Sequence, residues 1–275
     1  MSKLYVVGTP IGNLSDMSPR ALEVLANVDF IAAEDTRVTM KLLTHFGIKA
    51  ELVSCYEHNI REKSEYIVGR IASGESCAIV TDAGMPCISD PGEELVRLCA
   101  ERGIEVAAVP SPTAAMTALA ISGLSTSRFT FEGFLSVTKK QRISHLEEIK
   151  DLRQTLIFYE APHKLQNTLD DLLEYLGDRR IALCREMTKI HEEVLRGTIS
   201  EMIGYYKERQ PKGEYVIIVE GAPKKEDTVY TIEDAVKYAE EQIANGTKTS
   251  EACKLAAAKF GFSKSDIYSV VISKK

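Results

Sequence analysis

Four times along this chain an apolar run stops at a polar loop and the sequence resumes at a proline. Leu4–Val7 leads to Ser18-Pro19, and Cys77–Val80 leads to Asp90-Pro91. Val106–Val109 leads to Ser111-Pro112, and Leu156–Tyr159 leads to Ala161-Pro162. Proline suits the first turn of a helix, because its φ is already helical and its missing N–H would have no partner there. Ser111 and Asp90 are suited to cap the turn that follows, and Asp90 with Glu93 has capping-box spacing. Strand, loop and helix start make a βα unit, and its repetition predicts a parallel sheet covered by helices. Capping alone explains each helix start. It does not explain why three of the loops are long and rich in Gly, Thr and Asp, when ordinary βα connections run to about two to six residues. Long ordered loops on one sheet edge are binding loops, and helix N-termini there favour ligands.

Periodicity predicts strands near 3–8, 29–33, 51–54, 77–81 and 105–109, alternating with helices near 19–27, 37–46, 60–73 and 91–102. A helix near 112–122 leads to a boundary at Gly123-Leu124-Ser125. A mixed unit follows, with strands near 128–135, 155–160, 180–185, 193–197 and 214–220 and helices near 139–152, 162–176 and 198–208. Past the Pro223–Asp227 linker, three short helices near 231–244, 249–260 and 263–272 are separated by Asn245-Gly246 and Gly261. They suit a helix-turn-helix-like module or a packed tail equally well. The expected domains are therefore 1–122, 123–222 and 228–275.

The first loop, Gly8-Thr9-Pro10-Ile11-Gly12-Asn13, matches no familiar nucleotide loop. G-x-G-x-x-G is absent, and so is G-x-x-x-x-G-K-[ST]. No apolar run is long enough to span a membrane, and the start leads directly into a strand, which predicts a cytoplasmic protein without a signal peptide. Cysteines 55, 77, 87, 99, 184 and 253 form no C-x-x-C pair and are expected to be reduced. The five histidines have no metal-ligand spacing, so no metal is expected. The net charge of −6 disfavours a general nucleic-acid binder. Residues 224–275 carry +1, with nine Lys against eight Asp/Glu, so an RNA surface would have to be local.

Polar groups cluster where strands end. Ala33-Glu34-Asp35-Thr36-Arg37 follows the second strand, and Cys55-Tyr56-Glu57-His58-Asn59 follows the third. Asp35 or Thr36 also suits a plain helix cap. Glu160, Arg185, Glu186 and Lys189 form a second charged group in the later unit. The run Lys139-Lys140-Gln141-Arg142 suits either a solvated helix start or an RNA contact, with Arg179 and Arg180 as further basic candidates.

At these motifs the chain resembles the bacterial ribosomal RNA small-subunit methyltransferase I family, of the tetrapyrrole-methylase-like class. The carrying segments are LYVVGTPIGNLSDMSPRALE, AAEDTR, CYEHN, VTDAGMPCISDPG, VPSPTAAMTALAISGL, FYEAPHK and REMTKIHEE. They run in order from about residue 3 to 221. Members often have Ser and Thr where this chain has Thr81 and Met85, a departure that touches loop packing and not the Asp82-Ala83-Gly84 core.

The resemblance implies two α/β domains with S-adenosylmethionine bound in the cleft between them, plus the helical module. It implies a homodimer that methylates a cytidine ribose 2′-oxygen in the decoding region of small-subunit rRNA, naked or in the 30S particle. By position it places Pro10, Asp82, Ala83, Gly84, Ser111, Thr113, Ala114 and Tyr159 at the donor. Such a reaction needs a proton acceptor, for which Asp35, Glu160, Glu186 and Lys189 are unranked candidates. Lys189 would need a depressed pKa. Arg37 and Arg185 suit phosphate positioning, because a guanidinium meets phosphate as a fork. Two alternatives stand beside this: a methyltransferase for a small tetrapyrrole-like substrate, and a non-catalytic ribosome-binding factor.

Overall fold

A computed structural model of the chain describes residues 2–55, 60–90, 92–224 and 230–273. It divides into a unit of residues 1–223 and a unit of residues 224–275. The larger unit holds two five-stranded sheets.

The first sheet consists of β1 (Leu4–Val7), β2 (Phe30–Ala33), β3 (Glu51–Ser54), β4 (Cys77–Val80) and β5 (Val106–Val109), in the order β3-β2-β4-β1-β5. Every pairing is parallel. Strands buried on both faces should be continuously apolar, and β2 and β4 are buried throughout. Leu4, Val6, Phe30, Ala32, Cys77 and Ile79 face α3 (Ile60–Ala72) and α4 (Gly92–Glu101). The alternate residues, including Val7, Ile31, Ala33, Ala78 and Val80, face α1 (Pro19–Asn27) and α2 (Thr36–His45). The chain leaves β1 for one face and β4 for the other, although the two strands are neighbours. This is a topological switch point, and a crevice opens there at the strands' carboxyl ends.

The second sheet consists of β6 (Phe129–Phe134), β7 (Thr155–Glu160), β8 (Arg180–Arg185), β9 (Glu193–Thr198) and β10 (Tyr215–Val219), in the order β6-β7-β10-β8-β9. Only β6 and β7 pair in parallel. One face packs on α6 (Lys139–Ile149), α7 (Leu165–Leu176) and α8 (Ile199–Tyr206). The other receives α5 (Ala114–Ile121), whose Ala115, Ala118 and Leu119 lie on Ile157, Ala182, Cys184, Val216 and Ile218. The helix that follows the first sheet thus gives its buried side to the second.

The helix starts differ from expectation at two places. Ser18 caps α1 with Pro19 inside the first turn, as expected. The cap of α5 is Thr113, not Ser111. Pro162 opens a three-residue turn, and α7 begins after it at Leu165. Asp90 accepts from the backbone N–H of Cys87 and Gly92, while Pro91 lies outside the described residues. All six cysteines are free, and five are buried. Burial pushes the Cys55, Cys99 and Cys184 thiols up to about 11.

The smaller unit is α9 (Ile232–Ala244), α10 (Thr249–Phe260) and α11 (Lys264–Ser273) around Ala235, Val236, Ala239, Ala252, Cys253, Ala256, Ile267 and Val271. Small residues at the contacts let the helices approach closely. A Thr231–Asp234 capping box starts α9, and a left-handed Gly261 ends α10. Residues 225–227 of the expected linker lie outside the described residues. No described helix is long and apolar enough to cross a membrane.

Candidate active site in the cleft between the sheets

The loops after β1 and β4 leave neighbouring strands, and their backbones join. Thr9 N–H donates to Gly84 O at 2.8 Å, Gly84 N–H donates to Thr9 O at 3.1 Å, and the Thr9 hydroxyl donates to Thr81 O at 3.1 Å. The Ser111 hydroxyl braces this junction from the third loop by donating to Thr9 O at 2.9 Å. Gly84 holds φ +85°, a left-handed value that costs a residue with a Cβ about 1–2 kcal/mol. The joined loops form a wall, and a cavity lies on each side of it.

On one side a cleft of about 660 Å³ opens toward the second sheet. The first sheet's loops contribute Ile11, Ala83, Gly84, Met85, Ile88, Thr113 and Ala114. The second sheet contributes Phe134, Tyr159, Glu160, Ala161, Pro162, His163, Glu186, Met187, Lys189 and Gly213–Val216. The lining is mainly apolar with a few convergent polar groups, which is the usual character of a small-molecule site. The Tyr159 ring meets Phe131 and Phe134 edge-on at 5.0 and 5.5 Å. The Tyr159 hydroxyl accepts from Ala115 N–H at 3.3 Å, which ties the second sheet to the start of α5.

Charge in the cleft centres on Lys189. Its ammonium donates to Glu186 Oε1 and to Glu214 Oε2, each at 3.0 Å. Burial alone would lower its pKa, but the two carboxylates outweigh it and raise the pKa above the ordinary value. Lys189 is therefore an ammonium at neutral pH and not a base, against the requirement that role sets. For Glu186, burial pulls upward, while the Lys189 and Glu214 N–H contacts prevail and hold the carboxyl below its usual range. Glu160 is buried, and both its oxygens are used: Oε1 accepts from Ala161 N–H at 2.8 Å and Oε2 from the Thr168 hydroxyl at 2.6 Å.

The structure divides the residues expected at the site. Ala83, Gly84, Thr113, Ala114, Tyr159, Glu160, Glu186 and Lys189 line the cleft. Pro10 and Asp82 line a groove of about 440 Å³ on the other side of the wall. Asp35 and Arg37 line neither. Asp35 caps α2 and holds the Arg37 guanidinium at 3.0 and 2.7 Å, an interaction that pushes its carboxyl down to about 2. Arg185 faces Glu193 at 3.4 Å. Of the motif 55–59, residues 56–59 lie outside the described residues.

Two expected RNA contacts are committed elsewhere. Arg142 is half of a 2.5 Å ion pair with Asp171 and also donates to Ser136 O. Arg179 donates to the carbonyls of Leu176, Lys150 and Glu220. His163, Phe134 and Glu214 also line the cleft, although no sequence signal assigns them a role there. Glu214 arrives there because β10 runs antiparallel, which sets Tyr215 beside both Glu160 and Arg185. Glu34, directly after β2, reaches the loop that follows β4. Its carboxylate accepts from the Thr81 hydroxyl at 2.5 Å and stands behind Asp82.

Comparison with known proteins agrees with this arrangement. Residues 3–203 match the model of the family described as Tetrapyrrole (Corrin/Porphyrin) Methylases. A protein of Halalkalibacterium halodurans named ribosomal RNA small subunit methyltransferase I is 48% identical over 97% of this chain and 93% of its own. One of the same name from Bacillus subtilis is 44% identical over 98% and 93%. One from Thermotoga maritima is 47% identical over 80% of this chain and 99% of its own. Among solved structures, diphthine synthase superposes with a TM-score of 0.62 at 14% identity, covering 79% of this chain and 89% of that one. Uroporphyrin-III-C-methyltransferase of Thermus thermophilus gives 0.56 at 21%, covering 79% and 94%. At such identities the structures speak for the fold alone. The sequence relatives, with the cleft, decide the family: the chain belongs to the tetrapyrrole methylases and, within them, to the ribosomal RNA small subunit methyltransferase I group.

Proposed function

We propose that this chain methylates the 2′-oxygen of a cytidine ribose in the decoding region of small-subunit rRNA, acting as a homodimer. The observation that carries the rRNA reading is identity of 42–48% over nearly the whole chain to proteins named for that substrate. The ribose position and the dimer rest on the family resemblance. The cofactor of the family is S-adenosylmethionine, and the cleft suits it. Its size lies in the range of small-molecule sites. Ala83, Gly84, Ala114, Ala161 and Gly213 leave the backbone approachable, Tyr159 and Phe134 offer ring faces, and the acidic groups suit a cation. When bound, the donor supplies a methyl group already activated by a sulfonium.

The protein's own part is then placement and proton handling. Holding two reactants in line supplies much of a transfer's rate. Walls from both sheets do this here and limit water. The acceptor hydroxyl must lose its proton as the bond forms. Glu186 is the residue we assign to this role. Among the candidate carboxylates it alone lines the cleft and keeps an oxygen, Oε2, without a hydrogen-bond partner among the described residues. Asp35 and Glu160 have both oxygens engaged. Lys189 holds Glu186 ionised and in place.

Residues 224–275 would assist RNA docking. The family model, which matches residues 3–203, supports locating the chemistry in residues 1–223. The deciding experiment supplies labelled donor with naked small-subunit rRNA or assembled small subunits, then digests the RNA and locates the methyl group by mass spectrometry. A methyl on a cytidine ribose is expected. A methyl on a base, or transfer only to a small tetrapyrrole, refutes the reading.

A further inference from the structure

The wall between the two cavities has a second face, and the groove on that side has its own design. Pro10 and Asp82 form one side, and α2 forms the other with Val38, Lys41, Leu42 and His45. Those four lie at i, i+3, i+4 and i+7, a single stripe along the helix. Such a stripe ordinarily faces the core. In α2 the core face is Thr39 and Leu43 instead, so the stripe is left to line the groove. Val38 is 37% exposed, and Leu14, also in the groove, is 42% exposed. Thr39, which also borders the groove, has a buried hydroxyl with no hydrogen-bond partner among the described residues.

The groove thus has apolar side chains and two basic groups on the α2 wall, with the Asp82 carboxylate on the wall opposite. Lys41 makes no ion pair among the described residues, although the chain carries −6 overall. Proteins hold extruded bases between aromatic or apolar side chains, and a nearby cation takes the phosphate. The groove also adjoins the cleft along the Thr9–Gly84 wall, so a strand lying in one passes close to the other.

We propose that this groove holds an unpaired nucleotide of the RNA strand, its base against Leu14, Val38 and Leu42 and its phosphate at Lys41 and His45. The proposal rests on the RNA reading above. It assigns strand positioning to α2, away from the donor cleft.

The test uses the full chain with substitutions at exposed α2 positions: Val38→Asp, Lys41→Glu and, to keep the aliphatic stem, Lys41→Met. Donor affinity is measured by calorimetry and steady-state methylation with small-subunit rRNA. Donor Kd should stay within about twofold, while KM for RNA rises about tenfold, the order expected for one lost nucleotide contact. In Lys41→Met the slope of log affinity against log salt should flatten by about one, the signature of one lost phosphate contact. A merely structural role for the helix would not change that slope. If the wild-type protein methylates RNA and the folded variants keep its KM and salt slope, the groove assignment is overturned and the RNA reading survives. If the wild-type protein methylates no RNA, the RNA reading fails and takes this proposal with it.

Discussion

Gly213→Ala adds one methyl group beside the residue assigned to proton transfer. A Cβ built on Gly213 would lie 2.5 Å from Glu186 Cγ, 2.6 Å from its Cδ and 2.7 Å from its Oε1. Comfortable carbon contacts sit near 3.5–4.0 Å, so the carboxylate must withdraw by about 1 Å. Oε1 now accepts from Lys189 Nζ and Glu214 N–H, each at 3.0 Å. A retreat of that size takes both beyond hydrogen-bonding distance. Bonds to charged groups contribute about 1.5–3 kcal/mol each when buried. This cluster is partly open to solvent, so together they contribute about 1–3 kcal/mol. Gly213 also holds φ +78°, which costs alanine about 1–2 kcal/mol more. The sum is about 2–5 kcal/mol. Gly47→Ala separates the two terms, because Gly47 holds φ +69° with nothing within 4 Å of its built Cβ. Thermal unfolding at pH 7 should lower Tm for both variants, with Gly213→Ala lower by a further 2–12 °C or so for a domain of this size. Turnover should fall in Gly213→Ala alone. Equal Tm shifts with wild-type turnover would refute both the contact and the role given to Glu186.

Three further outcomes follow from the same geometry. Lys189 has a raised pKa and Glu186 a lowered one. The pair's contribution to stability is therefore lost only as pH rises through the raised lysine value or falls through the lowered carboxyl value, and a pH series of melts should show no step from it between about pH 6 and 9. Glu186→Gln should retain donor affinity by calorimetry and lose about 10²- to 10⁴-fold in turnover, the usual range for general base catalysis; a loss under threefold removes the residue from that role. Glu160→Ala leaves the buried Thr168 hydroxyl and Ala161 N–H without their acceptor, so denaturant unfolding should show a loss of about 2–4 kcal/mol whether or not donor is present.

Most elements were legible because their signals are local. A βα unit carries its own markers: an apolar run buried on both faces, a loop, and a capped helix start. All five parallel strands of the first sheet fall within a residue or two of expectation. What the sequence hid depends on contacts made across it. Ser111-Pro112 has the pattern of a cap, yet Thr113 takes the cap and the Ser111 hydroxyl is spent on Thr9 O. Arg142 and Arg179 look like available cations until Asp171 and three carbonyls are found holding them. Glu214 was invisible for a topological reason. In a parallel sheet the residue before a strand lies on the edge away from the site, and only the antiparallel course of β10 reverses that. The family motifs mark these loops and do not tell their two faces apart. Pro10 and Asp82 share loops with Ile11 and Ala83 but line the opposite cavity.

The backbone itself marks the same loops. Among the described residues, four non-glycine residues have left-handed φ: Cys87, Ser89, Glu186 and Thr188. Elsewhere such positions carry glycine, as at Gly47, Gly74, Gly103 and Gly246, where a Cβ would meet nothing. Retaining a side chain there costs about 1–2 kcal/mol per residue, and such residues concentrate where the surrounding structure needs the side chain. All four lie in two segments, 87–89 after β4 and 186–188 after β8, and both segments contribute to the cleft lining through Ile88, Glu186 and Met187. The contacts that hold them are visible. Cys87 N–H is fixed by Asp90, Thr188 N–H by Glu192, and Glu186 N–H by Glu214 O. Glu186 shows the reason most plainly. Glycine at 186 would remove the strain, and it would also remove the carboxylate that holds Lys189 and leaves Oε2 facing no partner. Glu186→Gly should therefore recover backbone freedom without recovering stability. Melts of Glu186→Gly and Glu186→Ala test this: because the ammonium keeps only Glu214 of its two carboxylate partners in both, both should fall below wild type, with glycine the higher of the two.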